Sequence, residues 1–68
     1  MNKKMTVKEM NEMVFDSKTL NGGVIYTKDR YYKIRHGFSS GYVVEGYGME
    51  YSFKTKAQAM KYVRERYM

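Results

Sequence analysis

Only a few residues of this chain have the chemistry to act on a substrate, and their spacing decides what they can do. His36 is the single histidine. It precedes Ser39 and Ser40 by a few positions, so a base and a nucleophile are close in sequence. Such a pair needs a third group to orient the base and a firm element to hold it. Here it falls in Gly37-Phe38-Ser39-Ser40-Gly41, a turn with no visible support. The carboxylates Glu9, Glu12, Asp16, Asp29, Glu45, Glu50 and Glu65 are scattered without metal-ligand spacing. Gly46-Tyr47-Gly48 lacks the GxxxxGK run of a phosphate loop. There is no cysteine, which excludes thiol chemistry and a disulfide framework. Catalysis, a cofactor, a metal and a small-molecule substrate are therefore not expected.

The residues that remain suit binding. Tyr31-Tyr32-Lys33-Ile34-Arg35-His36 alternates aromatic, basic and apolar positions. Lys and Arg number 13 against 7 Asp and Glu, a net charge of +6 on 68 residues. A field of that sign favours anionic partners, and it also keeps a small protein soluble. Aromatic residues make up 16% of the chain, eight of them tyrosine. Tyrosine suits protein interfaces and nucleic-acid surfaces alike, because its ring is rigid and amphipathic.

These side chains need elements to carry them. The length allows one domain, 1–68, with a small core. No segment is long enough to span a bilayer, and no signal-peptide core follows the basic start, so a cytoplasmic protein without membrane contact is expected. Residues 1–5 read as a loose arm. Thr6-Val7-Lys8-Glu9 has the capping-box pattern, which predicts a helix over 7–15 with Val7, Met10, Met13 and Val14 inward. Asn21-Gly22-Gly23 breaks the chain. Strands are expected over about 23–28, 31–36, 41–46 and 49–53, with turns at Lys28-Asp29-Arg30 and Gly37–Gly41, while Gly46-Tyr47-Gly48 breaks or bulges the third strand before Met49 to Phe53 continue as a short fourth. Thr55 with Gln58 forms a second capping box and opens a helix over 56–67, with Ala59, Met60, Val63 and Tyr67 on one side. The fold class is α+β: a small two-layer domain in which a three- or four-stranded antiparallel sheet packs on a C-terminal helix, with an extra short N-terminal helix.

Strand alternation sorts the faces. Burying Ile34 and Val44 sends Tyr32 and Tyr42 inward and leaves Tyr31, Lys33, Arg35, Val43 and Glu45 outward. Ile25 inward makes Tyr26 solvent-facing, although a one-residue bulge would reverse this strand. The candidate binding set is Tyr26, Arg30, Tyr31, Lys33 and Arg35. Lys54 and Lys56 join it from the helix end where a dipole disfavours cations. Cations contact phosphate, and tyrosines stack on bases or donate to phosphate.

The basic strand pair followed by Tyr51-Ser52-Phe53-Lys54-Thr55-Lys56-Ala57-Gln58-Ala59 resembles the arm-site DNA-binding domain of phage and mobile-element tyrosine recombinases. The likeness covers roughly residues 22–67. It implies a three-stranded sheet backed by a helix, with the sheet in a DNA major groove and Tyr31, Lys33, Arg35, Val43 and Glu45 facing the groove. The extra N-terminal helix, the glycine-rich third strand and the missing catalytic domain depart from that pattern. The leading expectation is a small basic DNA-binding or accessory protein of a phage or mobile element. The alternative is a protein-binding inhibitor of a host or defence enzyme, anti-CRISPR-like and without catalysis. A homodimer joined by sheet edges is a third reading.

Overall fold

In the computed structural model, which describes residues 5–67, a helix, a four-stranded sheet and a second helix follow one another along the chain. The first helix, α1 (Val7–Val14), begins where the sequence signals it. The Thr6 hydroxyl accepts from the Glu9 amide at 3.1 Å, and the Glu9 carboxylate accepts from the Thr6 amide at 2.9 Å. This reciprocal pair satisfies two donors that a helix start leaves unpaired. The helix stops one residue early because Phe15 turns extended (φ −102°, ψ 151°). Of the expected arm, all but Met5 lies outside the described residues.

The sheet comprises β1 (Ile25–Tyr26), β2 (Tyr32–His36), β3 (Tyr42–Gly46) and β4 (Met49–Phe53), all antiparallel and in sequence order. The register stacks Ile25, Ile34, Val44 and Tyr51 in one row across the sheet, on the inner face. Tyr26, Lys33, Glu45 and Glu50 form the neighbouring row on the outer face. The expected facing therefore holds for Ile25, Ile34, Val44 and Glu45, but Val43, expected in the exposed set, is buried on the outer face, where its side chain lies against Gly37.

Strand β1 is shorter than the expected 23–28, and the reason lies upstream. Phe15 bridges to Thr27, the Asp16 amide donates to the Tyr26 carbonyl at 2.9 Å, and the Lys28 amide donates to the Val14 carbonyl at 3.0 Å. The exit of α1 thus covers the β1 edge. Strand β2 begins at Tyr32, since Asp29, Arg30 and Tyr31 belong to the preceding turn. A single 3-10 turn, Phe38–Ser40, links β2 to β3.

Helix α2 (Lys56–Glu65) lies on the inner face. Thr55 caps it as expected, accepting from the Gln58 amide at 3.1 Å. Gln58 bonds back to the Lys54 amide rather than to that of Thr55, at 3.2 Å, so the reciprocal half of the box is shifted by one residue. The core unites Val14, Phe15, Ile25, Ile34, Val44, Ala59, Met60 and Val63. Val7 and Met13 were expected inward but stand more than half exposed. Within α1 only Val14 is buried, and Phe15 at its exit takes their place as the buried anchor. Tyr67, beyond the end of α2, is also partly exposed rather than core.

Phe15 is fully enclosed. Replacing it with alanine removes the largest core side chain and leaves a cavity, a cost of about 3–5 kcal/mol. That is most of the stability a domain this small holds. Phe15→Ala is expected to be largely unfolded at room temperature, with loss of cooperative urea unfolding followed by circular dichroism.

Candidate functional site

The sheet's outer face carries most of the nominated residues. Tyr26, Arg30, Tyr31 and Lys33 line one shallow concavity of about 720 Å³, and Glu45 and Glu50 line it with them. Register explains the acids. A two-residue turn, Tyr47-Gly48, has positive φ at both positions (54° and 75°), the geometry that matches strand twist in a tight hairpin. It sets Glu45 directly opposite Glu50. Like charges facing each other are unfavourable unless cations lie between them. Arg35 supplies one, since its Nε donates to Glu45 and its Nη2 approaches Glu50 at 3.5 Å. Lys33 lies 3.6 Å from the other Glu45 oxygen.

The basic row is therefore a neutralised lattice and not an open positive patch. The Arg35 hydrogen bond, with help from both neighbouring cations, holds the Glu45 carboxyl below the usual carboxylate range. The same bond raises Arg35. Arg30 is also engaged: it pairs with Asp16 at 2.7 Å and lies over the Tyr26 ring, 4.8 Å from its centroid. Three cations, Arg30, Lys33 and Arg35, are met here by three acids, Asp16, Glu45 and Glu50.

Lys54 and Lys56 are not part of this face. Lys56 reaches the Leu20 carbonyl at 3.3 Å, which ties the start of α2 to the loop before β1. Lys54 stands beyond the end of β4. With Lys61 it lines a groove of about 540 Å³ between β4 and α2, beside Phe53, Gln58, Tyr62 and one acid, Glu65. Among the described residues neither Lys54 nor Lys61 has an ion-pair partner. Across 54–66 there are five cations, Lys54, Lys56, Lys61, Arg64 and Arg66, against the single acid Glu65. Arg64 donates to the Asn11 side chain at 2.8 Å, and Arg66 lies over the Tyr62 ring and donates to its hydroxyl at 2.7 Å. Among the described residues neither has a carboxylate partner.

A third surface gathers tyrosines at the end of the sheet that holds the β1–β2 and β3–β4 turns. Tyr31 packs on Tyr47 with centroids 5.4 Å apart, Tyr47 on Tyr32 at 5.3 Å, and Tyr32 on Tyr67 at 5.9 Å. Gly46 makes this possible, because a Cβ there would meet the Tyr32 ring at 2.4 Å. The Tyr67 hydroxyl meets both Asp29 carboxylate oxygens at 2.8 Å, and Asp29 also accepts from Thr27 and from the Tyr31 amide. Burial, reinforced by Asp29, pushes the Tyr67 phenol up to about 12. Partial burial raises Asp29, but those donors outweigh it and the carboxyl stays below its usual value. Tyr31 and Tyr47 remain 59% and 68% exposed. At the opposite end Phe38 is 98% exposed on its 3-10 turn.

His36 stacks against Tyr42, with centroids 4.9 Å apart. Among the described residues its ring makes no hydrogen bond to Ser39 or Ser40, and no group of three or more His, Asp or Glu is placed to hold a metal. No helix there is long and apolar enough to cross a membrane. Comparison with protein-family models, with curated proteins and with solved structures gives no match.

The sequence places Glu45 outward but does not by itself pair it with Glu50 and Arg35. The signal was present: a two-residue turn fixes Glu45 against Glu50, and two facing acids call for Arg35 between them. Nothing in the sequence alone marked Tyr47 as the centre of a ring cluster, since its position depends on Gly46 admitting Tyr32.

The depressed Glu45 carboxyl has a pH consequence. A carboxyl whose folded-state value lies below its ordinary 4.5 contributes stability above that value and loses it as pH falls through the folded value. Glu45→Gln is therefore expected to flatten the acid side of the stability profile. The difference between urea midpoints at neutral pH and near pH 3 should be smaller in the variant than in the wild type.

Proposed function

We propose that the chain is a small non-enzymatic binding protein that meets nucleic acid through the groove between β4 and α2. One observation carries this reading: the outer sheet face balances its own charge, so the net +6 resides elsewhere, and 54–66 concentrates five cations against one acid. In that groove Lys54 and Lys61 are available for phosphates. Phe53 lines the groove beside them, while the Tyr62 ring is already covered by the Arg66 guanidinium and the Tyr51 and Phe53 rings, so the groove meets the phosphate backbone through its cations. Docking by the sheet in a major groove, as the recombinase-arm resemblance implies, would require Lys33 and Arg35 to exchange Glu45 and Glu50 for phosphates. The β4–α2 groove requires no such exchange.

The tyrosine cluster favours a second reading. Tyr31 and Tyr47 are exposed, mutually stacked and backed by Tyr32, which is how rigid aromatic anchors are presented at protein interfaces. A protein partner, such as a host or defence enzyme inhibited by this chain, would dock there.

Fluorescence anisotropy with labelled single-stranded and duplex DNA, titrated across salt, separates the two. Binding through the groove is expected to weaken steeply with salt. Replacing Lys54 and Lys61 together by glutamine should lower the log–log salt slope by about 1.4–1.8, the share of two phosphate contacts. Lys33→Gln should change affinity little. No binding at low salt overturns the nucleic-acid reading. Tyr47→Ala, used against any protein captured by the chain, then tests the second.

A further inference from the structure

We infer that the open edge of β4 pairs with β4 of a second copy of this chain, forming a two-fold dimer with a continuous eight-stranded sheet. The two edges of the sheet are treated differently by the fold. The β1 edge is closed by the chain itself, through the Asp16–Tyr26 and Lys28–Val14 hydrogen bonds. Among the described residues the β4 edge has no such cover: β4 neighbours only β3, and no backbone hydrogen bond closes its outer side. Apart from the one charge of Glu50, it also lacks the usual protections of an exposed edge. Met-Glu-Tyr-Ser-Phe contains no proline and no lysine, and its pairing with β3 runs without a bulge from Phe53–Tyr42 to Met49–Gly46.

Backbone parity shows which groups are on offer. The Gly37 amide donates to the Gly41 carbonyl at 2.8 Å. Alternation from that pair directs the amides of Val43 and Glu45 toward β2, and those of Tyr42, Val44 and Gly46 toward β4. Their β4 partners, Phe53, Tyr51 and Met49, are thereby satisfied. The amides and carbonyls of Glu50 and Ser52 point away from the sheet.

Charge selects the register. Centring the two-fold on Glu50 sets two carboxylates face to face, which is unfavourable. Centring it on Ser52 asks Lys54 to join the ladder, but its amide already donates to Gln58. Centring it on Tyr51 pairs Glu50 with Ser52 of the partner copy twice over, giving four main-chain hydrogen bonds. Each Glu50 then lies diagonal to Lys54 of the other copy as well as to its own counterpart, whose charge Arg35 already meets. Tyr51 faces Tyr51, and Met49 faces Phe53, on the inner side. Both α2 helices lie on that same side, so the two β4–α2 grooves open toward each other. The inference does not depend on what fills those grooves.

Sedimentation equilibrium on the full chain tests it. The wild type is expected at twice the 8.1 kDa chain mass. Ser52→Pro removes an outward amide and no β3–β4 hydrogen bond, so it should sediment as a single folded chain with unchanged circular dichroism. A wild type that stays at single-chain mass up to millimolar concentration overturns the dimer, and so does a folded Ser52→Pro that keeps the doubled mass. If that variant fails to fold, amide exchange in the wild type decides. Slow exchange at Glu50 and Ser52 that quickens on dilution supports the pairing, and fast exchange at every concentration overturns it.

Discussion

A chain of 68 residues can cover one face of a four-stranded sheet, and here the other face stays in water. Much else follows from that constraint. The inner face spends the apolar residues: Ile25, Ile34 and Val44 meet Ala59, Met60 and Val63 of α2, with Phe15 filling the space beside them. The outer face must hold its strands together with polar groups. It does so with Lys33, Arg35, Glu45 and Glu50, whose pairings cross β2, β3 and β4. Exposed ion pairs are individually weak. Their effect here is on the electrostatic surface: what resembles a basic strand along the sequence is close to neutral across the sheet.

The positive charge is thereby displaced to the α2 side. Helix α2 has no acid in its first turn, while Lys54 and Lys56 flank its start. Helix α1 shows the opposite arrangement, with Glu9 in its first turn and no basic residue in its last. Charge placed against the dipole costs a few tenths of a kcal/mol per residue. For Lys56 a structural use offsets this, since its ammonium ties α2 to the Leu20 carbonyl. Among the described residues the Lys54 ammonium makes no ion pair, so no such structural use offsets its placement.

How far the sequence discloses this depends on the range of each signal. Both N-caps are local, and Thr6 and Thr55 announce them. The strand faces are legible too, because Ile34, Val44 and Glu45 set the alternation. The role of Phe15 is not, since nothing within one turn of it distinguishes a last helical residue from an extended one. Its bridge to Thr27 is a tertiary contact that ends α1 and shortens β1 together. Likewise, Lys33 and Arg35 were legible as outward and basic, but their neutralisation depends on cross-strand register. Phe38 was seen only as part of a turn. It stands exposed beside Ser39 and Ser40, whose backbone is left-handed at φ 57° and 67°, where glycine would be the ordinary choice.

The turn at Tyr47-Gly48 shows how much one local choice settles. Its two residues determine that Glu50 opposes Glu45, which brings Arg35 between them. The same parity turns the Tyr51 and Phe53 rings inward against Tyr62. It also directs the Glu50 and Ser52 amides out at the edge. One residue more in the turn would exchange the faces of β4, carrying Glu50 toward α2 and Tyr51 into water. Tyr47 accepts a positive φ for the tighter turn, and its ring packs between Tyr31 and Tyr32. The conformation that sets the register thus also builds the aromatic surface, so neither can change without the other.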